Sequence, residues 1–537
     1  MTTVDDLCRS YLDLKYHFDP AAASAAGMVT HDGRLGTFDA ETVRTYTAAL
    51  RAVAGAAEEL DTADLEDEID RTALLGEMRS TMFRWEHERP NVRNPSYWLA
   101  HLFQALYAVL SRGSAAAAGR ASAVLERLEA VPAFLDSARA TLDEPPSVFV
   151  DSALIMFGGG GQLIAQVTAA MAEEEPGLGE RLRAAGRNAL EALAAFGVTL
   201  RDDVEPSPDP LGFAIGEAQF SRRLHFEHAL VSGAPELWRY GLHLQEETEE
   251  RLASLAAELG PTPWREVVDR LRGDAAEGGV LEVYRRELER VHRFVLDRDL
   301  VSVPSSPVDV VSTPAFLVSL VPFAAYEPPP VYLGDQHGKF YVTPPDPALP
   351  PEAYAQQLRG HCRHSVPAMV AHEAYPGHHL QLVTAQELGS EVRRHIWTPV
   401  MVEGWALYCE QLMEETGYYD TVEQRLFRLV NLLWRAVRIV LDVGLHTRGM
   451  SPAEAVDYMV EHLPIERSSA EAEVRRYCAW PTYQLCYAVG RREILRLRDS
   501  YRESAGAGYS LKRFHDTLLR YGGLPVSLAR WGMDLAD

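Results

Sequence analysis

Lysine is almost missing from this chain. Its 537 residues include three, Lys15, Lys339 and Lys512, so nearly all the basic charge is arginine. Lys and Arg together number 52 against 77 Asp and Glu, a formal charge of -25. Binding to nucleic acid needs Lys and Arg clustered against phosphates, so this balance argues against nucleic acid as a partner. The same excess charge favours solubility and repels an anionic membrane surface. Cysteine is also scarce. Cys8, Cys362, Cys409, Cys478 and Cys486 are scattered, and no two form Cys-x-x-Cys. That excludes a disulfide framework and predicts free core thiols. No run of eighteen apolar residues occurs, so no membrane-spanning helix is expected. The first twenty residues lack the basic and apolar stretches of a signal peptide, and the expected address is the cytoplasm.

What is present is ordinary globular composition, 47% hydrophobic and 24% charged,. Residues 40–60, 67–85, 95–112 and 114–142 carry apolar side chains at three- and four-residue spacing, which predicts helices, with Asp39 as a cap of the first. The four-glycine run Gly158–Gly161 has neither the flanking strand nor the GK[ST] ending of a phosphate loop. It reads as a helix break or a close helix contact. The charged, proline-rich segment 201–212 marks a connection, and helical periodicity resumes over 213–297. Residues 301–350 are rich in Val, Pro and aromatics and predict a small sheet of short strands. Helix returns from 352 to the end. The expected class is therefore mostly α. An N-terminal helical lobe, 1–205, would join a catalytic helical lobe, 206–537, with one small sheet, the two forming one integrated domain.

The chemistry is concentrated in His372-Glu373-Ala374-Tyr375-Pro376-Gly377-His378-His379. A His-Glu pair with a later His is how zinc hydrolases place two ligands and a general base. In the common HExxH form the histidines share one helix face, four residues apart. Here that position is Pro376. On a straight helix a His seven residues on returns to within about 20° of the first but stands about 10.5 Å along the axis. Two nitrogens on one zinc are only about 3–3.5 Å apart, given bonds near 2.0–2.1 Å. Pro376-Gly377 supplies the necessary break. A two-residue bulge would make His378 the second ligand, in preference to His379. Glu403, in Glu403-Gly404-Trp405-Ala406-Leu407-Tyr408-Cys409-Glu410, would complete a His2Glu site with an open position, one Zn2+ per chain. Glu410 and His379 would stand behind the ligands and orient them.

HEAYPGHH, EGWALYCE, LDVGLH, PTYQLCYAVG and FYVTPP together resemble the bacterial DUF885 family. That resemblance implies a gluzincin-like zinc metallopeptidase, distantly similar to the thimet-oligopeptidase and angiotensin-converting-enzyme group. It implies two helical lobes around a deep cleft, and an oxyanion donated to by a later Tyr and His, here Tyr487 or Tyr483 and His446. Glu373 would act as general base and then general acid. Arg435 and Arg438 lie in an apolar stretch, where a guanidinium wants an anion. The anion would be a substrate carboxylate or Asp442, four residues after Arg438. Phe340-Tyr341-Val342 could offer a strand edge to an extended peptide. The expected substrate is a short peptide or an amide-containing small molecule.

Overall fold

Apolar spacing of 3.6 residues dominates the sequence, and the chain is accordingly mostly α. The computed structural model describes residues 2–111, 119–275, 278–314, 317, 318, 321, 323–333 and 337–535. The first residues of the helix expected over 114–142, and parts of the 301–350 segment, lie outside them. The chain divides into two compact units. One comprises Met1–Thr62, Leu74–Phe213 and Pro330–Asp335; the other comprises Ala63–Ala73, Ala214–Pro329 and Gln336–Asp537.

The first unit is helical. Asp39 caps Ala40–Glu58 by accepting from the Thr42 N–H at 2.8 Å, as its position predicts,. Phe18, Phe38, Tyr46, Trp85 and Trp98 form an aromatic core beside Phe134,. The glycine run does not break its helix, which is continuous over Ser147–Glu174. A side chain at Gly160 would fall on the Phe103 ring, so this glycine permits a close helix contact,. An 18-residue window of Ser147–Glu174 is long and apolar enough to cross a membrane, by length and composition only. It packs against Pro95–Leu110 and Gly179–Asp202.

The second unit carries the candidate site. Its sheet has three strands, β1 (Val308–Ser312), β2 (Ala324–Glu327) and β3 (Gly338–Val342), in the order β1-β3-β2. β1 pairs parallel with β3, Val310 opposite Phe340, and β2 pairs antiparallel with it, Tyr326 opposite Phe340. The expectation that Phe340-Tyr341-Val342 offers an edge is therefore corrected. β3 is the central strand and its backbone is engaged on both sides, while β2 is an edge.

Helices Val280–Asp297 and Val366–Glu373 pack on the sheet, and His378–Gln386, Pro399–Glu415, Val422–Thr447 and Cys486–Ala505 are the further helices that carry the site. Val422–Thr447 is buried from Ala436 to His446 without interruption. Pro399–Glu415 and Cys486–Ala505 touch backbone to backbone. A Cβ at Gly404 would lie 2.5 Å from the Gly490 Cα, and one at Gly490 would fall on the Val400 carbonyl oxygen. Two glycines at the crossing are what allow it, and it carries the Tyr487 helix up to Glu403. All five cysteines are buried, and no disulfide joins them among the described residues.

Candidate metal centre

The helix that presents His372 ends at Glu373, and a new helix begins at His378. Of the break or bulge that the sequence predicted, Pro376 and Gly377 make a complete break. A side chain at Gly377 would overlap the His372 carbonyl, so only glycine fits this turn,. The break brings His378 round to His372, their rings 4.8 Å apart and nearly perpendicular.

Glu403 meets both from the neighbouring helix. Its Oε2 lies 3.3 Å from His378 Nε2 and 3.7 Å from His372 Nε2. The three ligand atoms fall within 4.8 Å of one another. His379 is directed elsewhere. Its Nε2 is 3.0 Å from the Ser306 carbonyl and its Nδ1 is 2.9 Å from the Tyr326 hydroxyl. Of the two adjacent histidines, His378 is the one in the triad.

Behind the triad the polar groups are paired. His372 Nδ1 is 2.9 Å from Glu410 Oε1, and Asn431 Nδ2 donates to Glu410 Oε2 at 3.3 Å. The Tyr483 hydroxyl donates to Glu403 Oε1 at 2.7 Å. Burial would push His372 down, but the carboxylates of Glu403 and Glu410 outweigh it and raise the imidazole to about 9. Burial would raise Glu403, but the imidazoles of His372 and His378 beside it hold it well below the usual carboxylate range,.

Glu373 is half-buried, and its Oε2 accepts the Tyr326 backbone N–H at 3.0 Å. Tyr326 carried no sequence signal, because the edge strand is known only once the three strands are ordered. The Tyr487 ring stands 6.3 Å from the His372 ring. Its hydroxyl has no hydrogen-bond partner among the described residues. Tyr483, by contrast, spends its hydroxyl on Glu403.

Three expected roles are corrected, the first being His379, which is held by Ser306 and Tyr326 and does not orient the ligands. His446 is 1% exposed, with Nε2 3.0 Å from the Tyr477 carbonyl and its ring against Phe220, so it is committed to the core and not to the triad. Arg438 does not pair with Asp442. It donates to the Tyr477 hydroxyl at 2.8 Å and to Glu473 at 3.1 Å. Asp442 instead accepts the backbone N–H groups of Thr482 and Leu485, at 3.0 and 3.2 Å. It thereby clamps the turn that carries Tyr483, in which Thr482 has a φ of 67°,. The Tyr341 hydroxyl stands 3.5 Å from Glu327.

No curated protein matches the chain. Among solved structures, a protein of Shewanella oneidensis described as "a putative lipoprotein of unknown function" superposes with a TM-score of 0.82 at 22% identity, covering 99% of this chain and 100% of its own. A protein of Colwellia psychrerythraea, described as "the putative lipoprotein", gives 0.83 at 18% identity, with 99% of each chain covered. They share the fold. The cytoplasmic address expected from the sequence is corrected by these descriptions, since lipoproteins are not cytoplasmic proteins and this fold is found among chains so described. The family model described as "Bacterial protein of unknown function (DUF885)" matches residues 20–533, nearly the whole length, and the chain belongs to that family.

Proposed function

We propose that this chain is a zinc-dependent hydrolase of gluzincin type that cleaves amide bonds of short peptides. The observation that carries the reading is the convergence of His372 Nε2, His378 Nε2 and Glu403 Oε2 within 4.8 Å. Two imidazoles and a carboxylate are a donor set that suits zinc. Contacts of 3.3 and 3.7 Å are near the separation of about 3–3.5 Å that ligands of one zinc require,. Bound there, zinc would lower the pKa of a water molecule and polarise the attacked carbonyl.

The residues divide the remaining work. Glu410, accepting from His372 Nδ1, fixes the tautomer that leaves the Nε2 lone pair facing the triad. Tyr483, donating to Glu403 Oε1, leaves Oε2 as the ligand atom. Glu373 has Oε2 held by the Tyr326 N–H, so Oε1 is the atom to take the proton from the attacking water and pass it to the leaving nitrogen. Tyr487 donates its hydroxyl to the oxyanion. The outer edge of β2 lies beside Glu373 and suits an extended peptide.

The test is metal content of the purified protein by elemental analysis, wild type beside Glu403→Ala, followed by cleavage of a peptide library with Glu373→Gln as control. The expected result is about one zinc per chain, lost in Glu403→Ala, with cleavage lost in Glu373→Gln while its zinc is kept. No stoichiometric zinc in the wild type after reconstitution overturns the proposal. Zinc without any Glu373-dependent peptide cleavage overturns the peptide substrate.

A further inference from the structure

Two arginines lie over the Tyr487 ring, a third shares a carboxylate with one of them, and the three are not equivalent. Arg438 has its guanidinium carbon 4.9 Å from the Tyr487 ring centre and is satisfied by Glu473 and the Tyr477 hydroxyl. Arg476 donates to both oxygens of the same Glu473, at 2.8 and 2.7 Å. One carboxylate therefore serves two guanidinium groups. Arg435 has none. Its guanidinium carbon lies 5.5 Å from the Tyr487 ring centre. Its one hydrogen bond among the described residues is a long one, 3.4 Å, from Nη1 to the Asn431 carbonyl of its own helix. Its Nε is buried with no hydrogen-bond partner among the described residues. No carboxylate of the described residues stands within 4.0 Å of it. Glu410, the acid whose charge it feels, already uses Oε1 on His372 and Oε2 on Asn431.

A guanidinium presents five donors in a planar fork that matches a carboxylate, and leaving a buried donor unpaired is costly. Arg435 keeps its fork unfilled in a protein with 25 more negative than positive charges. The residue itself is only partly buried, so an incoming group can reach it. Its place is close to the triad. The Tyr487 ring centre is 5.5 Å from the guanidinium and 6.3 Å from the His372 ring, so the guanidinium lies within about 12 Å of that imidazole. One residue of extended chain spans about 3.3–3.6 Å. A carboxylate one to three residues beyond a carbonyl held at the triad falls within that reach.

We infer that Arg435 binds a carboxylate of the substrate, and that the enzyme acts on short peptides with a free C-terminal carboxylate close to the cleaved bond. Arg435 is on this account a specificity-determining residue, and Arg438 and Arg476 add positive charge around it. The inference rests on the hydrolase reading for the cleaved bond, but the anion subsite itself does not require turnover.

Two readouts separate the two ideas. In the first, phenylglyoxal modification of Arg435 in the zinc-loaded full chain is followed by peptide mapping, with N-acetylated dipeptides and tripeptides present as free acids or as C-terminal amides. The free acids are expected to slow modification about tenfold at concentrations ten times their Kd, and the amides to leave it unchanged. In the second, cleavage of the same two sets is compared in wild type, Arg435→Gln and Arg435→Lys. The acid-over-amide preference in kcat/KM is expected to fall by about a hundredfold in Arg435→Gln, mostly through KM, with partial retention in Arg435→Lys and unchanged zinc content. Protection by acids without any cleavage keeps the anion subsite and removes the peptidase reading. Cleavage of acids and amides alike, with no selective protection of Arg435, keeps the peptidase and overturns the subsite. Absence of selective protection overturns it in every case.

Discussion

The backbone contact between Gly404 and Gly490 makes a prediction whose sign separates two physical effects. Alanine is favoured over glycine in a helix interior by about 1 kcal/mol. At Gly158, where an added Cβ meets no atom within 4 Å, Gly158→Ala should show that gain alone. At Gly490 the same methyl falls on the Val400 carbonyl oxygen and stands 2.7 Å from the Gly404 Cα and 2.9 Å from the Val400 carbonyl carbon. Ordinary van der Waals contact for a Cβ begins at 3.4 Å. The obstructing atoms are backbone and cannot rotate away, so the helices must part by about 1 Å, at an overpacking cost of about 1–3 kcal/mol or more. Gly490→Ala should therefore lower the unfolding temperature by about 1–2 degrees while Gly158→Ala raises it by about 1 degree,. Because Tyr487 lies one turn before Gly490 on the same helix, the parting also shifts its ring from its place 6.3 Å from the His372 ring, and on the proposed function turnover should fall. Circular dichroism melts of the two variants beside wild type make the measurement. If both melt higher than wild type, the crossing is not tight, and the account of how Tyr487 reaches the triad fails with it.

Three further outcomes follow from the site and the core. Glu410→Gln should weaken zinc binding by about 10–100-fold in a chelator competition, because the ligand His372 loses its orienting carboxylate; unchanged affinity would remove Glu410 from the site. Tyr487→Phe should lower kcat by about 10²–10³ with zinc content intact, and a full-rate variant would show that the oxyanion is met by another group. Burial holds His228, His446 and His515 neutral, each lowered to about 4. The unfolded chain, with His near 6.5, then binds more protons than the folded one between those values. Stability is full above about 6.5 and is lost as the pH falls toward 4, by about 3 kcal/mol for each histidine. His446→Gln, which keeps a donor for the Tyr477 carbonyl, should flatten that loss in urea titrations taken from pH 7 to pH 4. An identical slope would refute the burial argument for this residue.

Much of this was legible in one dimension. Helical periodicity announced the fold class, because burying one stripe of a helix leaves a 3.6-residue trace in the sequence. Asp39 announced its own cap. The motif around His372 carried its geometry openly: a proline at the fourth position forbids the usual helix face, so the chain had to break before the second histidine. The four glycines were less readable, since the same residues serve a break or a close contact. Only the Phe103 ring over Gly160 settles which.

The sequence by itself determined the mostly helical class, the break at Pro376-Gly377 and the set of residues able to ligate a metal, since each depends on local backbone sterics and side-chain chemistry. Tertiary structure decided everything that depends on partners brought from far along the chain. It put β3 in the centre of the sheet and β2 at the edge, gave Tyr326 to Glu373, turned His379 to the Ser306 carbonyl, sent His446 into the core, and paired Arg438 with Glu473 while leaving Arg435 without a carboxylate among the described residues. Periodicity records which face of an element is buried. It does not record which distant donor or carboxylate meets that face, because contacts between segments are fixed by packing and not by spacing.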